Sequence, residues 1–340
     1  MKKSQRLAAV LLILLMLCGC SMPATPNTVV LPQTPAENHT ESAPASAEPA
    51  QTTPETNAFH LEYEQTTLPE PLSSVTALAM LEETLLLGGV SETGLALVRL
   101  TPEGRSEELP LPGSTEYLYA LCPDGAGGAW LLCGSLPKGY FDASGNFRFL
   151  SQEPEGKLAL AHYDAAFALQ EIVLLQTLYT DRFFQLRRLD GGFCMMSASL
   201  LVRLDETGAE TARQSLDAKD GWSFAAMQET DGVLYALTRN LYGIELPELR
   251  KFTPDTLSAL ESDVCTSEIT GLGLRADGRL LMGNSEELFA YDTGSGETET
   301  LVRWQEIGAN VLTEQPWELE DGYLFFSPGD TSLQRLRRVP

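Results

Sequence analysis

Asp292-Thr293-Gly294-Ser295 follows the apolar run Phe289-Ala290-Tyr291, a setting in which an aspartate can serve peptide hydrolysis. That chemistry needs two carboxylates sharing one proton, because one acts as acid while the other acts as base. The chain has one Asp-Thr-Gly. Corresponding places read Asp142-Ala143-Ser144-Gly145, Asp205-Glu206-Thr207-Gly208 and Thr253-Pro254-Asp255-Thr256. This is turn chemistry: an Asp or Thr oxygen caps backbone amides and a glycine takes the left-handed position. Asp292 is therefore read as a turn residue, and no catalytic residue is assigned.

Tryptophans supply the second chemistry, stacking on a ligand. Trp130 lies inside a strand pattern and is expected in the core. Trp222, in Lys219-Asp220-Gly221-Trp222, precedes an inner strand and is the candidate ligand-stacking residue; Trp304 and Trp317 are read as packing. His39, His60 and His162 are isolated and assigned to surface or spacer. Cys122, Cys133, Cys194 and Cys265 form no CxxC, so neither a metal site nor a cofactor is expected. Cys122 and Cys133 flank a hairpin turn whose symmetric register sets Cys122 near position 129 and Cys133 opposite position 118. That is too far apart for a disulfide. Gly-x-Ser-x-Gly elbows, Walker loops, His-Glu-x-x-His and calcium loops are absent from the sequence. Hydrolysis of a glycan needs only two well-placed carboxylates, and 47 acidic residues keep that alternative open. The motifs favour a non-catalytic role over an enzyme. Asp124-Gly125-Ala126-Gly127-Gly128-Ala129-Trp130 resembles the structural Asp-box of sialidases, which implies a turn and not a site.

The elements that must position these residues begin after residue 58. Lys2, Lys3 and Arg6 precede an apolar run from Leu7 to Leu17 and then Cys18-Gly19-Cys20-Ser21. A basic region, a short apolar region and a small residue before cysteine form an export signal, too short to span a bilayer. Leu17-Cys18-Gly19-Cys20 resembles the lipobox of bacterial lipoproteins. The resemblance implies a signal peptide over 1–19, cleavage before Cys20, lipidation of its sulfur, and an exported chain anchored to the bacterial membrane and facing away from the cytoplasm. Residues 20–58 are rich in Pro, Thr, Ala, Ser and Glu and are expected to form a disordered spacer. The chain carries 23 Lys+Arg against 47 Asp+Glu, net −24; without the three leader cations the balance is −27. That charge opposes nucleic-acid binding, which depends on neutralising phosphates.

Residues 59–340 contain a repeat. An acidic turn and an apolar strand recur as Glu82-Glu83-TLLLGG, Asp124-GAGGAWLLCG, Asp190-GGFCMMS, Asp231-GVLYALT, Asp277-GRLLMG and Asp321-GYLFF. A strand–turn–strand follows the first five: VRL-TPEG-RSEELPL, GYF-DASG-NFRFL, LVRL-DETG-AETARQSL, LRKF-TPDT-LSAL and FAY-DTGSG-ETETLV. Another strand precedes each acidic turn. Four strands every forty-odd residues is the spacing of β-propeller blades, and six blades are expected, with seven as the alternative. The gap from Asp124 to Asp190 is longer and places an insertion near 153–182, helical or a buried strand pair. The last unit lacks one strand, and Phe59–Leu68 is expected to supply it and close the ring. Arg335, Arg337 and Arg338 are read as one solvated strand face.

The pattern resembles WD-repeat-like and quinoprotein-like propellers. With the lipobox, the spacer and the phrase GETETLVRWQEIGANV, the chain also resembles propeller-bearing lipoproteins of gut-type anaerobic bacteria, some of which continue into an extracellular solute-binding domain. The resemblance implies a lipid-anchored binding or accessory module, linked to solute uptake, whose partner is a protein, a glycan or a solute. A glycan-cleaving enzyme with channel-facing carboxylates and an envelope scaffold are the alternatives.

Overall fold

The structure is a computed structural model. It describes residues 60–340 apart from 83, 114, 136–138, 142–146, 150–156, 180, 218–219, 266, 310, 312–313 and 340. Cys20 and His39 lie outside the described residues.

The described residues form a six-bladed β-propeller. Strand β1 (His60–Thr67) precedes the first blade, β2 (Leu72–Leu81), β3 (Thr84–Ser91), β4 (Gly94–Leu100) and β5 (Ser106–Leu109). The second contains β6 (Tyr117–Pro123), β7 (Ala129–Gly134), β10 (Leu158–Tyr163) and β11 (Leu169–Leu174), with a separate hairpin, β8 (Gly139–Phe141) and β9 (Phe147–Phe149), between its middle strands. The third is β12 (Phe183–Leu189), β13 (Gly192–Ser197), β14 (Leu200–Asp205) and β15 (Glu210–Ser215). The fourth is β16 (Trp222–Thr230), β17 (Val233–Asn240), β18 (Glu248–Phe252) and β19 (Asp263–Val264). The fifth is β20 (Gly271–Leu274), β21 (Leu280–Gly283), β22 (Glu287–Tyr291) and β23 (Thr298–Arg303), followed by one helical turn, α1 (Trp304–Ile307). The sixth joins β24 (Gln315–Leu319), β25 (Gly322–Phe326) and β26 (Ser332–Val339) to β1.

Closure is antiparallel and in continuous register from His60 opposite Val339 to Thr67 opposite Ser332. The first and last segments of the domain therefore share one sheet, and the edge that an open array would expose is covered. Asp231 and Gly232 show why the repeat makes hairpins. Both sit at positive φ, 52° and 71°, the two-residue turn whose twist matches the strands it joins.

Six apolar clusters fill the six interfaces between blades. One runs from Ala79 and Leu97 to Leu131 and Tyr163 between the first and second blades. Another joins Leu78 and Val98 of the first blade to Leu324 and Phe326 of the sixth, so the circle has no gap. Each blade is buried on both faces, which is why its middle strands read as continuous apolar runs. The first strands of successive blades pack on one another and form the inner wall. They approach closely: a Cβ on Gly273 of β20 would lie 2.1 Å from the Pro316 oxygen of β24.

The second blade corrects two expectations. KLALAHYDAAFALQEIVL is not an insertion. It is the blade's third and fourth strands, and the extra residues, with the GYF/FRF hairpin, fall at 135–157. Leu158 and Leu160 face the third blade while Ala159 and Ala161 face the first. A strand buried on both sides carries apolar residues at every position, the same one-dimensional pattern as a buried helix. The cysteine register is close to that expected: Cys133 is opposite Leu118 and Cys122 opposite Trp130, all four described cysteines being free.

Candidate functional site

A four-stranded meander puts its first and third turns at one end of the blade and its other connections at the opposite end. The propeller accordingly has a turn face, with the short acidic turns, and a loop face, with the longer connections 135–157, 175–182, 216–221, 241–247 and 304–314.

Leu241-Tyr242-Gly243-Ile244-Glu245-Leu246, between β17 and β18, is the main apolar feature of the loop face. Leu241, Tyr242, Ile244 and Leu246 are 71%, 67%, 76% and 47% exposed. The loop is nevertheless built. Asn240 Oδ1 accepts from the Tyr242 amide at 3.0 Å, and the Asn240 carbonyl accepts from Gly243 at 3.0 Å. The Leu241 amide donates to the Gly221 carbonyl at 2.7 Å, and the Tyr242 ring covers Gly221, where a Cβ would meet it at 2.3 Å. Gly243 takes φ 64° at the turn. Aliphatic side chains are thus held out towards water by a locally fixed backbone, the arrangement by which a rigid scaffold presents a binding loop.

Trp222 stands beside this loop, opposite Asn240 on the adjacent strand. It is half-buried, and the Arg250 guanidinium lies 5.6 Å from its ring centroid, itself held by Glu248 at 3.0 Å. One ring face is therefore occupied by a cation. The four tryptophans do not converge. Trp130 belongs to the second blade's core. Trp304 is buried beyond the fifth blade, donating from Nε1 to the Asn284 carbonyl at 2.8 Å, and Trp317 lies on the inner wall of the sixth. The apolar loop itself was missed by sequence reasoning. Its signal was an aliphatic cluster between Asn240 and Pro247 with no alternating partner strand.

On the turn face, Asp292 joins β22 to β23 in the fifth blade. Its Oδ1 accepts from the Gly294 and Ser295 amides at 2.9 and 2.8 Å, which holds the carboxyl below the usual range. Asp205 and Asp164 cap the same turn of the third and second blades in the same way. Asp164, not Asp142, is the second blade's equivalent. Asp124 caps a first turn: Oδ1 accepts from Ala126 and Gly128 at 2.7 and 2.8 Å, and Oδ2 lies 2.9 Å from His162 Nε2. The imidazole stacks on Trp130 with centroids 4.5 Å apart. Burial raises the Asp124 carboxyl, but the His162 contact and the turn amides outweigh it, and its pKa falls below the usual value. His162 is therefore neither surface nor spacer. It was misplaced because its strand was read as an insertion.

An Asp–His pair can orient a base for a nucleophile. Cys122, in the same cross-strand row as Trp130 and His162, is pushed up to about 12 by burial and stays a thiol. Cys194 is likewise raised to about 12 and Cys265 to about 11, so none is poised for attack. A turn-face cleft of about 680 Å³ between the sixth and first blades gathers Glu82, Glu318, Glu320 and Asp321. Arg335 holds both Asp321 oxygens at 2.7 Å, and Arg275 holds both Glu318 oxygens at 3.1 to 3.3 Å. Burial raises Asp321, Arg335 overcomes it, and the pKa is lowered. A glycosidase acid needs the opposite shift. Arg337 shares the face of Arg335, 3.6 Å from Asp321. Arg338 points the other way, over Tyr323, so the three arginines are not one face, as alternation along a strand requires.

The inner wall holds one further arrangement. Arg187 of β12 and Trp317 of β24 belong to opposite blades, yet the guanidinium carbon lies 5.6 Å from the indole centroid. Side chains from opposite inner strands meet only across the ring's axis, so this pair crosses the central channel.

No family model and no curated protein matches the chain. Solved structures similar to it include virginiamycin B lyase from Staphylococcus aureus, at 9% identity over 82% of this chain and 100% of that one, TM-score 0.49. YCF48 bound to D1 peptide matches at 12% identity over 82% and 97%, TM-score 0.47. The WD40 β-propeller domain of Doa1 matches at 10% identity over 82% and 98%, TM-score 0.44.

Proposed function

We propose that this protein is a non-catalytic binding module, lipid-anchored outside the cytoplasm, whose loop face takes hold of a protein partner through Leu241, Tyr242, Ile244 and Leu246. The exposure of these four side chains on a fixed loop carries the reading. Trp222, half-buried at the start of β16, borders the contact. Three of the four side chains are aliphatic, the Tyr242 ring packs on Gly221 and the Trp222 ring carries the Arg250 guanidinium, which favours a protein over a glycan as the partner. Burying one large apolar side chain contributes roughly 1.5–3 kcal/mol, against an association cost of about 4–15 kcal/mol. The loop is therefore the centre of a larger contact rather than the whole of it. The sequence supports anchoring through Cys20 and a tether over 20–58. Service to a solute-uptake system is the narrower form of the proposal.

The test is site-specific photo-crosslinking from position 242 of the full chain in its own membrane, repeated with Leu241→Asp and Ile244→Asp. One discrete adduct that both substitutions abolish, with unchanged thermal unfolding, supports the assignment. Adducts that persist in both variants reject it. Release of the chain from membranes by Cys20→Ala tests the anchor separately.

A further inference from the structure

Arg187 is enclosed on the inner wall yet retains some contact with solvent. Among the described residues no carboxylate lies within ion-pair distance of it, in a chain with 47 acidic residues. Its Nε has no hydrogen-bond partner. Two more donors of the inner wall are in the same state: Trp317 Nε1, and Nε2 of Gln185, a residue only 2% exposed. Gln185 and Arg187 are alternate residues of β12, so both project from the same side of that strand. The Gln185 oxygen is taken by the Met227 amide at 2.6 Å, which leaves its NH₂ as the spare group. A guanidinium over an indole recovers only part of what burying the charge costs.

The loop-face end of the inner wall also carries a cation. Arg182, just before β12, lies 4.5 Å over the ring of Tyr117, which begins the neighbouring inner strand β6. No carboxylate pairs with Arg182 among the described residues. Burial lowers the pKa of Arg187, as expected where charge is enclosed without a counter-ion; Arg182 is exposed at the surface.

We propose that the axial channel binds a small carboxylate, held by Arg187 with Trp317 and Gln185 as further donors, and entered from the loop face past Arg182. A planar carboxylate matches the guanidinium fork, and its single charge matches that of the Arg187 guanidinium. A phosphate would bring a second negative charge into an already strongly acidic protein. This site is separate from the apolar loop and does not depend on it.

The experiment titrates the purified full chain with acetate, propionate, inorganic phosphate and chloride at constant ionic strength, read by calorimetry and by tryptophan fluorescence. Acetate or propionate should bind saturably and raise Tm. Arg187→Met should weaken binding about tenfold or more, and because it removes an unpaired buried charge it should unfold no earlier than the wild type without ligand. Trp317→Phe should abolish the fluorescence response while calorimetry still detects weakened binding. Arg187→Lys, which keeps the charge and loses the fork, should fall between. The proposal is overturned if no carboxylate binds saturably at millimolar concentration, if phosphate alone binds, or if Arg187→Met or Arg187→Lys binds as the wild type does.

Discussion

The two faces of this propeller are made by the same six blades and follow different rules. On the turn face, equivalent positions carry equivalent residues. Asp124, Asp164, Asp205 and Asp292 each accept from two backbone amides of their own turn. On the loop face a cap recurs where second strands end, with Ser91, Ser197, Asn240 and Asn284 each accepting from the amide two residues on, but the connections beyond the caps differ: one blade offers a hairpin insertion, another an aliphatic loop, a third a helical turn. Repetition marks what the fold needs, because every blade must reverse its chain within a few residues. Departure from repetition marks where a surface can be specialised without disturbing the ring. The motif that most invites a catalytic reading, Asp-Thr-Gly, lies on the repeating face. The residues of the two proposed binding sites lie elsewhere.

The largest expected effect removes the distinction by breaking the ring itself. Deleting residues 60–67 uncovers the whole of β26, and denaturant unfolding should become less cooperative, with self-association visible by size-exclusion chromatography. The milder version is Leu336→Ala in that last blade. It is fully buried, and a loss of about 2–5 kcal/mol is expected. If closure contributed little, both variants would unfold like the wild type.

Next comes the loop face alone. Ile244→Asp should weaken partner binding tenfold or more, about 1.4 kcal/mol or above, without moving Tm, because the side chain is already in water. A fall in Tm would mean that the loop serves the fold after all.

The turn face should show the reverse, stability without binding. Asp124→Ala leaves two turn amides and His162 without their acceptor and should cost about 1–3 kcal/mol. Its folded pKa is depressed below 3.8. The stabilisation is therefore present above that value and lost as pH falls through the folded pKa, so wild-type and variant stability curves should converge below about pH 4. Asp292→Ala is the smallest change. Its carboxylate is solvent-exposed and its two amides can turn to water, so Tm should drop less than for Asp124→Ala, with binding intact. A binding defect in Asp292→Ala would dissolve the contrast between the faces.

How much could be read beforehand follows the same division. The acidic turns and the strand count per blade were legible because they rest on local backbone chemistry repeated along the chain, and the closing pair because the last unit lacks one strand while the start of the domain has one to spare. The second blade was not read correctly: LALAHY buries both of its faces, and period alone cannot separate such a strand from a buried helix. His162 went astray with it. Trp222 stands at the start of the inner strand β16, and the Arg250 guanidinium over its ring was not visible in the sequence.

By itself, then, the sequence determined a closed ring of four-stranded blades, because turn chemistry and apolar alternation act within a few residues of one another. Only the tertiary structure decided which aliphatic residues stay in water and which arginine is left without an acid. Leu241 and Leu249 are eight residues apart and equally apolar, yet one is exposed and the other buried between blades. Arg187 and Trp317 are 130 residues apart in the chain and meet because six blades bring opposite inner strands within reach across one axis. Such contacts are set by the diameter of the ring, a property of the whole assembly that no short window of sequence contains.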